Sequence, residues 1–329
     1  MGAFVLVTAA STSLALAPAN EAQAFGTING AGQNAEHERI TRAALACLPG
    51  TKSDGSCFEP RSIDQLAGHN GTFGAVGSPD TDESFTSAAH CDDADFVAFA
   101  NYGQTRAQAT ANLLSCIDHL QDRFSSGVKD ADEVLASGSG ATAVLATEVD
   151  LSSDCTFTGG LSGRAKCNAV EGFGRALHGV QDFYSHSNWS DAQDATKPLS
   201  LTNPPGLNRT KITPLLKLNT GVVPSAGSVP THLSTGCFSL VGGCSGRVKH
   251  DDLNKDKGLI HPWTGTASSP GTPRGKIGSN FPQAVHNAIA DTQRQWTDFR
   301  AQLVTTYGPE RGAKITCVLV SDTPTTSCK

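Results

Sequence analysis

The feature that most constrains this chain is the run His178-Gly-Val-Gln-Asp182-Phe-Tyr-Ser-His186. Its three metal-ligating side chains recur at i, i+4 and i+8. On a helix they drift by only about 40° per step and face one groove over two turns. A helix is read over 163 to 187, where Val170, Phe173, Leu177 and Val180 form an apolar stripe. Gly172, Gly174 and Gly179 fall in the same stretch. Inside a helix each costs about 1 kcal/mol relative to alanine, so three of them imply that other chain segments approach this backbone closely. Imidazole and carboxylate at this spacing suit a metal, and a central Asp between two His can bridge neighbouring ions. The competing reading is a polar helix face with a satisfied His–Asp pair. For a triplet beside an apolar stripe, metal ligands are favoured.

Three further segments carry the helical period. Residues 33 to 47 place Ile40, Ala43, Ala44 and Cys47 on one face, with Asn34 as a capping residue. Residues 104 to 124 align Leu113, Ile117, Leu120 and Phe124, and 281 to 304 align Val285, Ile289, Thr292, Trp296, Phe299 and Leu303. Between them, 50 to 82, 191 to 247 and 262 to 280 are rich in Gly, Ser, Pro and Thr and read as loops, with a small hairpin near 236 to 249. The fold class is therefore mainly α, a helical bundle with long loops.

Ten cysteines fall in close sequential pairs, Cys47 with Cys57, Cys91 with Cys116, Cys155 with Cys167, Cys237 with Cys244 and Cys317 with Cys328. No C-x-x-C occurs, so zinc-ribbon spacing is absent and local disulfides stapling the loops are the simpler reading. An apolar stretch from Phe4 to Ala17, followed by Ala22-Gln-Ala24, matches a secretory leader cleaved before Phe25. No Lys or Arg precedes Arg39, which points to a start codon further upstream. The expected organisation is a signal peptide over 1–24 and a single secreted domain over 25–329. A net charge of −6 offers no broad basic surface and argues against duplex nucleic acid as a partner. Neither G-x-S-x-G nor a phosphate-binding glycine loop occurs, so serine hydrolases and nucleotide-binding enzymes lose ground.

The stretch EGFGRALHGVQDFYSHSNW, residues 171 to 189, resembles the Het-C family, related to the zinc-dependent phospholipase C and single-strand nuclease superfamily. AEHERIT, 35 to 41, is similar to the N-terminal histidine helix of that group. The resemblance covers about a tenth of the chain, so it transfers residue by residue. It implies an all-helical enzyme with up to three zinc ions that hydrolyses phosphodiesters. His178 and Asp182 match one zinc ligand and the bridging carboxylate, and His186 matches a ligand of a second zinc. An Asp and a His upstream complete another metal shell in that superfamily, and Asp80 and His90 are the candidates for them. Phe25, through its amino and carbonyl groups, and His37 match the third zinc site. The remaining ligands come in that superfamily as His followed four residues later by an acid. No remaining His fits, and His250 with Asn254 or Asp251 is the nearest equivalent. Asp252-x-Asn254-x-Asp256 resembles a short calcium loop without the glycine and distal glutamate of an EF-hand, so calcium ranks below zinc. His69, His119, His232, His261 and His286 are read as structural.

The expected function is a secreted zinc-dependent phosphodiester hydrolase, phospholipase C-like, with Asp80 or Asp182 taking a proton from a metal-activated water. Phospholipid or another phosphodiester is the implied substrate, and a membrane surface a candidate partner. Two alternatives stand beside it. One is a non-catalytic secreted binding or recognition protein with a structural or incomplete metal cluster. The other is a single-strand nuclease, against which the 6% aromatic content weighs because base stacking needs aromatic platforms.

Overall fold

The computed structural model describes residues 25–30, 33–138, 142–157, 163–238 and 243–329. The leader expected over 1–24 lies outside them. The architecture is mainly helical, and the helix carrying the triplet is its centre. Helices in chain order are α1 Glu36–Leu45, α2 Pro60–Ala67, α3 Gly74–Gly77, α4 Pro79–Asp82, α5 Ser87–His90, α6 Arg106–Asp130, α7 Ala165–His186, α8 His250–Leu253, α9 Asn280–Tyr307, α10 Pro309–Val320 and α11 Pro324–Ser327. Two minimal antiparallel ribbons join β1 Asn29–Gly30 to β2 Gln33–Asn34, and β3 Leu259–Ile260 to β4 Ala267–Ser268.

Every residue of α7 except Asn168 is buried. It packs against α6, α9, α3 and α5. Its glycines explain how such a helix can be enclosed. A Cβ on Gly172 would lie 2.7 Å from Gly127 Cα and 2.8 Å from the Arg123 carbonyl of α6. One on Gly174 would lie 2.7 Å from the Ala75 carbonyl carbon in α3, and one on Gly179 would lie 2.6 Å from the Ala89 carbonyl in α5. All three are close backbone approaches of the kind the sequence implied. Around the α6–α7–α9 contact, Phe124, Phe173, Trp296 and Phe299 pack ring against ring, with Phe173 and Phe299 centroids 4.8 Å apart.

The four helices expected from periodicity are present, with two corrections. Asn34 does not cap α1. It lies in β2, and the N-cap is Ala35, held left-handed at φ 49° while its N–H donates to the Ile28 carbonyl. The loop expected over 50 to 82 contains α2, α3 and α4, short helices whose proline starts (Pro60, Pro79) were legible but whose length gives periodicity little to register. The hairpin expected near 236 to 249 lies partly outside the described residues, which omit 239–242; at its ends Cys237 and Lys249 pair as an isolated parallel bridge. All five disulfides form as expected from the close cysteine pairs. Such bonds persist in an oxidising, extracellular type of environment. Among the described residues no helix is long and apolar enough to cross a membrane.

At the start of α7, Lys166 is fully buried, its Nζ donating to Ser62 Oγ at 2.9 Å and the Ser321 carbonyl at 2.7 Å. Burial pulls its pKa down to about 7, against the opposing pull of Asp322 and Glu59. The unfolded chain keeps a lysine near about 10.4, so between about pH 7 and 10 it binds one proton more than the native state. Unfolding free energy should therefore rise with pH across that window by up to about 1.4 kcal/mol per unit, and Lys166 should add no slope below it. Lys166→Met is expected to flatten the rise in urea melts at pH 7, 8 and 9. An unchanged slope would mean that the native lysine stays charged.

Candidate metal centre

Asp182 sits at the middle of the site, fully buried, with its two oxygens facing different partners. Oδ2 faces His178 Nε2 at 2.9 Å and His90 Nδ1 at 3.0 Å, while Oδ1 faces His37 Nε2 at 3.2 Å and His186 Nε2 at 3.9 Å. Around Oδ2, His178 Nε2 and His90 Nδ1 are 2.9 Å apart, and Asp80 Oδ1 lies 3.6 Å from the first and 3.9 Å from the second. Ligand atoms on a tetrahedral zinc with bonds of about 2.0 to 2.1 Å are separated by about 3.3 Å. The spacing of these four atoms brackets that value.

The remote nitrogens of the same rings are tied down. His178 Nδ1 lies 2.8 Å from the Val76 carbonyl, His90 Nε2 3.3 Å from the Glu83 carbonyl and His37 Nδ1 2.7 Å from Gln181 Oε1. Gln181 is fixed in that orientation because its amide nitrogen donates to Thr41 and Thr292. A carbonyl oxygen only accepts, so each of these ring nitrogens carries a proton, and a ring that is neutral then turns a lone pair inward. His37 Nε2, Asp182 Oδ1 and His186 Nε2 are buried without a hydrogen-bond partner. Acceptors converging on acceptors are costly in a protein interior unless a cation lies between them.

Electrostatics make the same demand. Burial pushes the Asp182 carboxyl up, and the imidazoles of His178, His186 and His37 outweigh it, holding the group well below the ordinary carboxylate range. His178 is driven down by burial, whereas His37 and His90 are raised by Asp182 and Asp80 in spite of theirs. The carboxylates call for positive charge, which a metal ion supplies in place of protons.

A further group lies beyond the C-terminal end of α7, where His186 and His250 stand between Asp92 and Asp256. Among the described residues, three sets of side chains are thus able to hold a metal: His37, His178 and Asp182; Asp80, His90 and His178; and Asp92, His186 and His250. Asp93 also neighbours Cys237 and Cys244, but these are joined to each other and present no thiolate.

The structure therefore brings His37, Asp80, His90, His178, Asp182, His186 and His250 to one locality. Phe25 is buried with its ring 5.9 Å from that of His37. Asn254 belongs to none of the three sets, and its buried Oδ1 is unpaired. The carboxylates facing His250 are Asp92 and Asp256, whereas Asn254 and Asp251, expected beside it, fall in none of the three sets. An i+4 ligand needs a continuing helix, and α8 stops at Leu253, with Asn254 extended at ψ 145°. Asp92 went unrecognised altogether. Its position follows from Cys91, left-handed at φ 54° and bonded to Cys116, which turns the chain so that His90 and Asp92 serve different sets. His119 lies 3.4 Å from Glu83 Oε1, outside the sets.

Fold and site together define a disulfide-braced, mainly helical protein with clustered His and Asp side chains able to hold metal ions. Compared with known protein families, curated proteins and solved structures, the chain has no match in any of the three.

Proposed function

We propose that the protein is a secreted zinc-dependent phosphodiester hydrolase. The observation that carries this reading is the convergence of imidazole lone pairs on Asp182, with every remote nitrogen already committed to an oxygen acceptor. An imidazole and carboxylate donor set without thiolate favours zinc over calcium or magnesium. Zinc bound in such a pocket supplies Lewis acidity toward a phosphoryl oxygen and lowers the pKa of water. Asp80 is the most exposed of the surrounding carboxylates, at 14%, against 0% for Asp182, so substrate is expected to approach from its side and Asp80 to take the proton. Asp182 links the first two sets and orients the rings. The resemblance of residues 171 to 189 to the Het-C family agrees with this reading.

The burial of the ligands favours one rival, a non-catalytic secreted protein whose metal is structural, since structural zinc sites are closed. Metal analysis combined with turnover assays separates the two. The purified chain should hold roughly two to three zinc ions, and a chelator should abolish hydrolysis of bis(p-nitrophenyl) phosphate, phosphatidylcholine vesicles or single-stranded DNA. Zinc-replete protein that cleaves none of these would sink the enzymatic reading and leave the structural one.

A further inference from the structure

Arg175 lies on α7 three residues before His178, and all five N–H groups of its buried guanidinium are committed. Nη1 donates to Asp82 Oδ1 at 2.8 Å and to Glu83 Oε2 at 2.8 Å. Nη2 donates to Asp82 Oδ2 at 2.6 Å and to the Phe157 carbonyl at 2.8 Å, and Nε donates to Glu171 Oε1 at 3.0 Å. Asp82 and Glu83 follow Asp80 by two and three residues, at the end of α4. That helix is a single turn in which Pro79 alone is buried, so its own packing does little to fix the direction of the Asp80 carboxylate. The Thr27 hydroxyl holds Asp80 Oδ2 from the N-terminal segment, and the Arg175 fork ties the turn to the helix that carries His178.

The same grip reaches His90. The Glu83 carbonyl lies 3.3 Å from His90 Nε2, and the Glu83 side chain is held from two sides, by Arg175 on Oε2 and by Arg123 of α6 on Oε1 at 2.5 Å. A carbonyl oxygen only accepts, so with Glu83 clamped His90 keeps a proton on Nε2 and presents Nδ1 to Asp182 and His178.

We propose that Arg175 is a positioning residue for the set of Asp80, His90 and His178, its one planar fork holding the Asp80 turn and the Glu83 carbonyl in register with α7. This rests on the metal-binding reading above and gives a role to a side chain that neither spacing nor resemblance singled out. The geometry requires arginine. Lysine would keep the charge, but an ammonium is a point donor and cannot grip Asp82 with two parallel bonds while also reaching Glu83. Residues that orient metal ligands in this way typically cost about 10- to 100-fold in metal affinity when they are lost.

The test uses the full chain, titrated stepwise with zinc in competition with a chromophoric chelator. Arg175→Lys should weaken one binding step by about 10- to 100-fold and leave the others at wild-type affinity. Long-range proton–nitrogen NMR of zinc-loaded, 15N-histidine-labelled protein supplies a readout that a loss of stability alone would not move. In the wild type His90 should be protonated at Nε2 and ligated at Nδ1. In Arg175→Lys that pattern should be lost or mixed, while the signals of His186 and His250 stay as they were. Asp82→Ala removes the exposed end of the fork without altering α7, and should weaken the same step by about tenfold. It decides the matter where Arg175→Lys does not fold. Wild-type affinity at every step in the folded variants, or an equal loss at all steps with His90 unchanged, would overturn the assignment and leave the metal reading intact. Wild-type protein that binds no zinc would overturn both.

Discussion

Asp182→Asn is expected to cost the protein at least one zinc ion and to weaken what remains by more than about 100-fold, a larger effect than the loss of any single surrounding histidine. The reason is the division of labour within one side chain: Oδ2 faces His90 and His178, and Oδ1 faces His37 and His186. An asparagine keeps a single oxygen. Whichever way it turns, an NH2 group then points at imidazole lone pairs where a cation should lie, and the negative charge is gone. Two readouts check this. Metal analysis after dialysis gives the count, and thermal unfolding with zinc and with chelator gives the stabilisation due to metal. That stabilisation should approach about 4 kcal/mol for wild type at a thousandfold excess over Kd and shrink toward zero for the variant. A folded Asp182→Asn protein with unchanged zinc content would remove Asp182 from the centre of the site.

What the sequence made legible here follows the range of the physical signal. His178, Asp182 and His186 share one helix, so the 3.6-residue period alone places them in a groove, and the apolar residues of α7 report its burial. The disulfides were legible for a related reason, since each joins cysteines near in sequence. Asp80, His90 and His37 are brought in by chain segments far from α7, and no local pattern announces them; the resemblance supplied them. Asp92 and Asp256 depend on backbone details. One follows a left-handed half-cystine, and the other follows a helix that ends after a single turn. Neither conformation has a strong signature, because Cys91 is not a residue that favours positive φ, and because the four residues of α8 are too few for a helical period to register, even with Asn254 after them as a stop residue. The donor density of 250 to 256 was visible. Which of its oxygens turned inward was not.

The glycines of α7 give the sharpest coupling between packing and site. Gly172→Ala and Gly174→Ala should each destabilise the fold by about 3 kcal/mol or more, although alanine in an unobstructed helix would gain about 1 kcal/mol. At Gly172 the new methyl meets backbone atoms of Gly127 and Arg123, and at Gly174 it meets Ala75 and Val76 N at 2.9 Å, so neither clash can be relieved by rotating a side chain. The consequences for metal differ. Gly172 faces α6, which contributes no ligand, whereas Gly174 faces the segment whose Val76 carbonyl accepts the Nδ1 proton of His178 and which leads directly into Asp80. Displacing α3 by even a few tenths of an ångström loosens that hydrogen bond and shifts the Asp80 carboxylate relative to His90 and His178. In urea melts both variants should lose similar stability. In zinc titrations of the folded proteins, Gly172→Ala should retain wild-type affinity while Gly174→Ala binds at least about tenfold more weakly. Equal affinities in the two variants would mean that the Val76 contact does not tune the site.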